Sequence, residues 1–346
     1  MERMADPPAN KPSALRRNAE TIIFVLMAAG LIAAPFYVYP LFLMQAMCFA
    51  LFACAFNLLI GYVGLLSFGH ALYFGWGSYL SAHAAKAWGL TPEIAIPIGT
   101  ATAALCGLVA GSLAIRRQGI YFAMVTLALA QMMYFFALQA KFTGGEDGIQ
   151  GVPRGHLFGV IDLRNDWAMY AVVLVIFLAG FLFIYRIIHS PFGKVLKAIR
   201  ENETRAISLG YRTDRYKLAA FVLSATLAGL AGATKAIVVQ LASLTDVNWP
   251  MSGEVVLMTL VGGLGTIFGP VVGAFSIVGM QNYLAQDVGQ WVSVIQGCIF
   301  VACVLLFRRG IVGEIIALGQ RTPKPSDAGT APVATEPAGA PSAAGE

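Results

Sequence analysis

The chain has 346 residues, 58% hydrophobic and 12% charged, with a mean hydropathy of +0.72. A soluble domain carries about half apolar and a quarter charged residues, so this composition excludes one and points to a polytopic membrane protein. The net charge of +5 is not a nucleic-acid footprint, because the basic residues cluster in loops between apolar runs.

Residues 1–20 form a polar tail. The first apolar run, Thr21 to Tyr39, follows Arg16 and Arg17, the layout of a signal peptide. It is long enough to span, and we read it as an uncleaved first helix. From Thr21 to Ala85 there is no Asp, Glu, Lys or Arg, a run of 65 residues. A span needs about 20 residues, so this run holds up to three crossings. Apolar windows predict helices near 21–39, 41–60, 66–85, 92–115, 119–140, 167–188, 216–241, 252–262, 268–285 and 290–307. The expected fold is an all-α transmembrane bundle of about ten spans (eight to eleven), its membrane domain covering 21–309. The breaks in the pattern are the Gly- and Ser-rich stretch 62–85 and the "GGLGTIFGP" within 252–285.

Basic residues set the orientation. With the N-terminus in the cytoplasm, 18 of the 23 Lys and Arg residues fall on that side. They lie in the tail 1–20, at Arg116 and Arg117, in and around a central loop 189–215, and from Arg308 onward. Residues 141–166 then face outward, and the tail 310–346 is cytoplasmic. From Thr322 the tail is mostly Pro, Ala, Gly and Ser and cannot bury a core, so disorder is expected. Cys48, Cys54, Cys106, Cys298 and Cys303 lie in apolar stretches and read as small buried hydrophobes. None has ligand spacing. No catalytic cluster and no metal site stands out.

The central loop carries "SPFGKVLKAIRENETRAISLG", residues 190–210. Ser190 and Pro191 make an N-cap and first helical position. Phe192, Val195, Leu196 and Ile199 repeat at helical spacing, and Ala206 and Ile207 resume the stripe. Glu201, Asn202, Glu203 and Arg205 occupy the other face. Gly210 stands at a helix stop, and Thr213 and Asp214 can cap the next helix. The loop therefore holds one bent helix or two short ones. Such a helix either lies on anionic headgroups or docks a soluble partner. The carboxylates of Glu201 and Glu203 favour docking, because they gain nothing beside an anionic surface.

Other candidates are single groups. Gly265, Gly269 and Gly273 are four apart, a face for close helix packing. Gly262, Gly263 and Gly265 sit at a break that suits a hinge or a water-filled path. Glu254 reads as a cap at a helix N-terminus or as a partner for Lys235. His70 is expected to hydrogen-bond inside the bundle and His83 to be interfacial. Asn57 and Gln131 are lone polar groups in apolar helices, which usually bond a neighbouring helix. In the outward segment "TGGEDGIQGVPR", Gly144, Gly145, Gly148 and Gly151 permit positive-φ turns, and Asp147 can lock one of them. That segment is either an ordinary surface loop or an external gate.

Four stretches carry a family resemblance: 190–233, "GYVGLLSFGHALYFGWGSY" at 61–79, "TGGEDGIQGVPR" at 143–154 and "VGGLGTIFGPVVGAF" at 261–275. In this order they resemble the permease family of branched-chain amino acid ABC importers, over most of residues 55–285. The resemblance implies that the loop carries a coupling helix. It places Glu201, Asn202, Glu203, Thr204, Arg205 and Gly210 at or near the contact with an ATPase subunit. It also implies two ATPase subunits holding ATP and Mg²⁺, a homologous second permease and a periplasmic solute-binding protein, assembled in a bacterial inner membrane. The sequence contains no GxxxxGK[ST]. The competing reading is an ion-driven secondary transporter, for which Glu254 and His70 are the intramembrane ionisable candidates.

Overall fold

The computed structural model describes residues 14–157, 159, 161–288, 291, 294–298, 301 and 310–319. Among these the helices are α1 Ala14–Ala33, α2 Pro40–Tyr62, α3 His70–Lys86, α4 Pro92–Ala114, α5 Ile120–Gln139, α6 Asp166–His189, α7 Pro191–Glu201, α8 Glu203–Ser208, α9 Thr213–Val239, α10 Trp249–Gly262, α11 Gly269–Val288 and α12 Gly310–Gly319. The chain is an all-α, multi-pass membrane protein. Among the described residues α2, α4, α5, α6 and α9 are each long and apolar enough to cross a membrane alone. The crossing expected at 290–307 falls largely outside the described residues. The tail expected from 310 instead opens with α12, which packs on α10 and α11.

The arrangement follows from which helices have a polar face to hide. α2 is apolar all round, and nearly all of it from Leu43 to Tyr62 is buried. A helix with no polar side belongs at the centre of a bundle, and α9, α11, α6 and α10 pack around α2. α4, α5 and α6 leave large side chains such as Leu105, Met124, Phe135, Val175 and Phe183 exposed. These are lipid-facing surfaces in a membrane protein.

Lipid removes the hydrophobic drive between helices, so close contact depends on small residues. α4 and α9 meet along such a seam. Gly99 lies against Ala233, Ala103 against Gly229, Gly107 against Ala225 and Gly111 against Phe221. Each step is four residues on both helices, in opposite directions, so one continuous antiparallel stripe is formed. A Cβ added at Gly107 would stand 2.5 Å from that of Ala225. At the α10–α11 junction the expected three-glycine face is shorter. Gly269 and Gly273 pack against α10, whereas Gly265, with φ +73°, lies in the turn between the helices.

At one end of the bundle, residues 141–157 are tied down. β1 Ile149–Gln150 pairs antiparallel with β4 Leu241–Ala242. β2 His156–Leu157 pairs with β3 Ile161–Asp162. Lys86 Nζ donates to Gln150 O at 2.6 Å. Arg154 donates to Val238 O, 2.9 Å, and to Asp166, 2.7 Å. The guanidinium thereby sits at the carbonyl end of α9, where a positive charge is favoured.

Candidate functional site

At the other end lie α7 and α8. Ser190 Oγ accepts from Gly193 N at 3.3 Å, and Pro191 follows at the first position. Leu196 and Ile199 are buried, and Phe192 stacks on Tyr216 at 5.7 Å. Asn202 (φ −157°) breaks the helix. Its Oδ1 then accepts from Arg205 N at 2.9 Å and so starts α8. Tyr211 N donates to Ala206 O and Gly210 N to Ile207 O. This paired closure needs a left-handed residue, and Gly210 supplies it at φ +87°. The loop is two short helices.

The capping expected of Thr213 and Asp214 does not occur. Arg212 holds the N-cap position of α9 without a side-chain bond, and Thr213 is buried as the first helical residue. Ile207 does not resume the buried stripe. It is 55% exposed, and Leu209 and Tyr211 are exposed beside it. Glu201, Asn202, Thr204 and Arg205 are exposed on the same segment. Glu203 turns inward: its carboxylate pairs with the buried Lys217 of α9 and accepts from Gln118 Nε2 at 3.3 Å. α8 is thereby tied both to α9 and to the α4–α5 connection.

α7 is joined to the bundle by a contact among three segments distant in sequence. Arg200 Nη1 donates to Gly61 O at the end of α2. Lys197 Nζ lies 5.3 Å from the centroid of the Tyr62 ring, a cation–π contact. A cavity of about 390 Å³ opens here, lined by Gly61, Tyr62, Lys197, Arg200, Glu201 and Gly265. Behind it Asn57 forks onto the α10–α11 turn. Its Nδ2 donates to Thr266 O, 2.8 Å, and its Oδ1 accepts from Gly265 N, 3.0 Å. Gly61 and Gly265 touch so closely that a Cβ on Gly61 would stand 2.9 Å from Gly265 N. Asn57, Gly265 and α7 thus form one contiguous unit, with Gly262 and Gly263 closing α10 next to it. Nothing in the sequence pointed to Arg200, because its partner lies 139 positions away.

The remaining candidates stand apart from this unit. His70 is fully buried with Nε2 2.9 Å from Ser224 Oγ, as expected. Its ring is packed edge-on by Phe56, Tyr73 and Phe221. His83 has ring contacts with Trp88 and Phe142. Glu254 neither caps α10 nor meets Lys235: Asn248 caps that helix, Gln281 of α11 donates to Glu254, and Lys235 pairs with Asp246. Gly144, Gly145, Gly148 and Gly151 adopt positive φ. The hydrogen bond at Asp147 runs from Gln150 Nε2 to its backbone oxygen, 3.3 Å. These loop residues follow the C-terminal end of α5, while Gln118, which holds Glu203, precedes its N-terminal end. Twenty helical residues rise about 30 Å, so the two candidate groups lie at opposite ends of the molecule. Among the described residues no three His, Cys, Asp or Glu side chains group so as to hold a metal ion.

Comparison with known proteins adds the family. The family described as "Branched-chain amino acid transport system / permease component" matches residues 39–304. The chain belongs to that family. It is therefore a membrane permease component and not an enzyme. It is 27% identical over 279 residues to the high-affinity branched-chain amino acid transport system permease protein LivM of Escherichia coli K12, covering 74% of this chain and 65% of that protein. To LivM of Salmonella typhimurium it is 26% identical, covering 78% and 68%. To the ribose import permease protein RbsC of Bacillus subtilis it is 29% identical, covering 52% and 58%. The chain thus spans about two thirds of the length of the two LivM proteins. No solved structure matches it.

Proposed function

We propose that this permease is the membrane-spanning subunit of a binding-protein-dependent ABC importer that moves branched-chain amino acids inward, and that α7–α8 is the handle gripped by an ATPase subunit. The observation that carries this reading is the surface of the 201–211 segment. Exposed Ile207, Leu209 and Tyr211 lie among exposed Glu201, Thr204 and Arg205. Exposed apolar side chains alone suit a lipid surface equally well, but the Glu201 carboxylate gains nothing beside anionic headgroups. An apolar patch bordered by both signs of charge suits a protein partner instead.

On this reading the protein sits in a bacterial inner membrane with α7–α8 in the cytoplasm and 141–166 facing outward, a sidedness that the distribution of Lys and Arg supports. The working assembly contains a homologous second permease, two ATPase subunits that hold ATP and Mg²⁺, and a solute-binding protein. ATP-driven closure of the ATPase pair displaces α7, and Arg200 carries that displacement to Gly61 and the α10–α11 turn. This is a two-state rearrangement biased from a distant site.

The test is gentle extraction of the tagged protein from its native membrane with mass spectrometry of what accompanies it. An ATPase pair and a second permease should be recovered, and lost when residues 198–210 are scrambled. Recovery of the chain alone, with uptake driven by an ion gradient in vesicles, would replace this reading with a secondary transporter.

A further inference from the structure

The best-buried ionised pair among the described residues lies far from the handle. The side chains of Lys235 and Asp246 are 7% and 3% exposed. Lys235 Nζ stands 2.8 and 2.7 Å from the two carboxylate oxygens. Asp246 is the only fully buried carboxylate among the described residues. Such a pair is poor at stabilising a fold, because apolar side chains of the same volume serve as well or better. Ionisable groups inside a membrane bundle are usually retained for function.

The two charges do not share a rigid element. Lys235 belongs to the last turns of α9, whereas Asp246 closes the short 3₁₀ turn Leu244–Asp246. That turn lies in a segment bounded by α10 and by Gln240, the one non-glycine at positive φ among the described residues (φ 58°). A strained residue of this kind is a place where backbone direction can change. The segment connects two helices and is held by contacts from separate elements, among them two hydrogen bonds between Gln240 and Val152. The others include the two-residue β1–β4 pairing, the capping box between Ser243 and Asp246, and Val247 seated against Gly75 of α3. One turn beyond Gly75 stands Tyr79, fully buried, with a hydroxyl that has no hydrogen-bond partner. A buried hydroxyl left unbonded is unfavourable and marks a place where a partner would be accommodated.

We infer that Lys235, Asp246 and Tyr79 form a latch that opens to a zwitterionic α-amino acid. The ligand's carboxylate takes the place of Asp246 on Lys235, its ammonium takes the place of Lys235 on Asp246, and the Tyr79 hydroxyl donates to the carboxylate. Every buried charge stays compensated through the exchange. A ligand with one charge leaves the other member of the pair buried and unpaired, which is strongly unfavourable. The latch therefore selects against simple carboxylates and simple amines, a rejection by unpaired charge. It rests on the amino-acid importer reading above, and it adds where and by which groups the α-amino and α-carboxyl ends are recognised.

The experiment uses the whole transporter in nanodiscs, with Val247→Cys as reporter after the five native cysteines are changed to alanine. Val247 is fully buried, so a soluble thiol reagent reaches this cysteine only when the segment lifts. Leucine should raise the labelling rate roughly tenfold, while 4-methylpentanoate and 3-methylbutylamine at the same concentration should not. Equal labelling with either analogue, or no response to any of the three, would overturn the latch. A second measurement is leucine uptake by the paired variant Lys235→Met with Asp246→Leu. Loss of uptake with an unchanged melting temperature supports the latch, and uptake at the unaltered rate reduces the pair to a structural pin. If the paired variant does not fold, the analogue comparison on the intact pair decides. Uptake of an uncharged amide but no amino acid by the unaltered complex would remove the importer reading as well. Leucine uptake with indiscriminate labelling removes the latch alone.

Discussion

At the scale of single residues, the handle depends on side chains that face inward as much as on those that face out. Replacing Glu203 with Ala strands the Lys217 ammonium, which is 5% exposed. The full loss of a buried partner costs about 3–5 kcal/mol. Glu203 retains a quarter of its own exposure, so a smaller penalty, on the order of 2 kcal/mol, is expected. It should appear as a lowered melting temperature in detergent, and Lys217→Met in the same chain should restore most of it. Glu201 is exposed and holds no such partner role toward Lys217, so Glu201→Arg should leave the melting temperature unchanged while reducing ATP-driven uptake. Unchanged uptake would show that the outer face of the loop makes no functional contact. Arg200→Met removes a charge-assisted hydrogen bond, worth about 1.5–3 kcal/mol. Uptake is expected to fall roughly tenfold or more while ATP hydrolysis by the assembled complex persists. A parallel fall in both would mean that Arg200 supports assembly and not transmission.

At the scale of elements, two features control whether helices can take up their places. Gly210 closes α8 in the left-handed region, which costs most L residues about 1–2 kcal/mol and Asn less. Gly210→Val should therefore weaken coupling of ATP hydrolysis to uptake, and Gly210→Asn should largely retain it. Equal behaviour of the two variants would show that backbone conformation there is irrelevant. The α4–α9 seam has no room for added volume. Gly107→Leu should destabilise the bundle by about 1–3 kcal/mol or prevent its recovery, whereas Leu108→Ala on the exposed side of the same helix should do neither.

The helical loop, its Ser190 start and its Gly210 stop were legible in the sequence because each signal is local, whereas the break and cap at Asn202 were not. Ser190 and Pro191 start one helix and Gly210 ends the next, and the bonds involved span three to five residues. Thr213 and Asp214 were misread because buried packing of Thr213 overrode its capping preference. The α4–α9 seam was not singled out from the sequence, although Gly99, Ala103, Gly107 and Gly111 stand four apart. A four-residue spacing shows that a helix can be approached closely but not by which neighbour.

At the scale of the whole molecule, the sidedness of the bundle decides the reading of both ends. Single cysteines placed in 143–154 and in 201–211 should label from opposite sides of the native membrane, the second only after the cytoplasmic face is opened. Labelling from one side would undo the assignment of handle and outer latch together. The sequence by itself determined membrane class, the helical fold, most helix limits and the amphipathic loop, since all of these depend on composition and on periods of a few residues. Tertiary structure decided which polar groups meet. Arg200 found Gly61, Asn57 found Gly265, and Lys235 chose Asp246 over Glu254. The reason is physical: in a bundle surrounded by lipid a buried polar group left without a partner is costly. Which one it finds depends on how the helices pack, and that is a property of the whole chain.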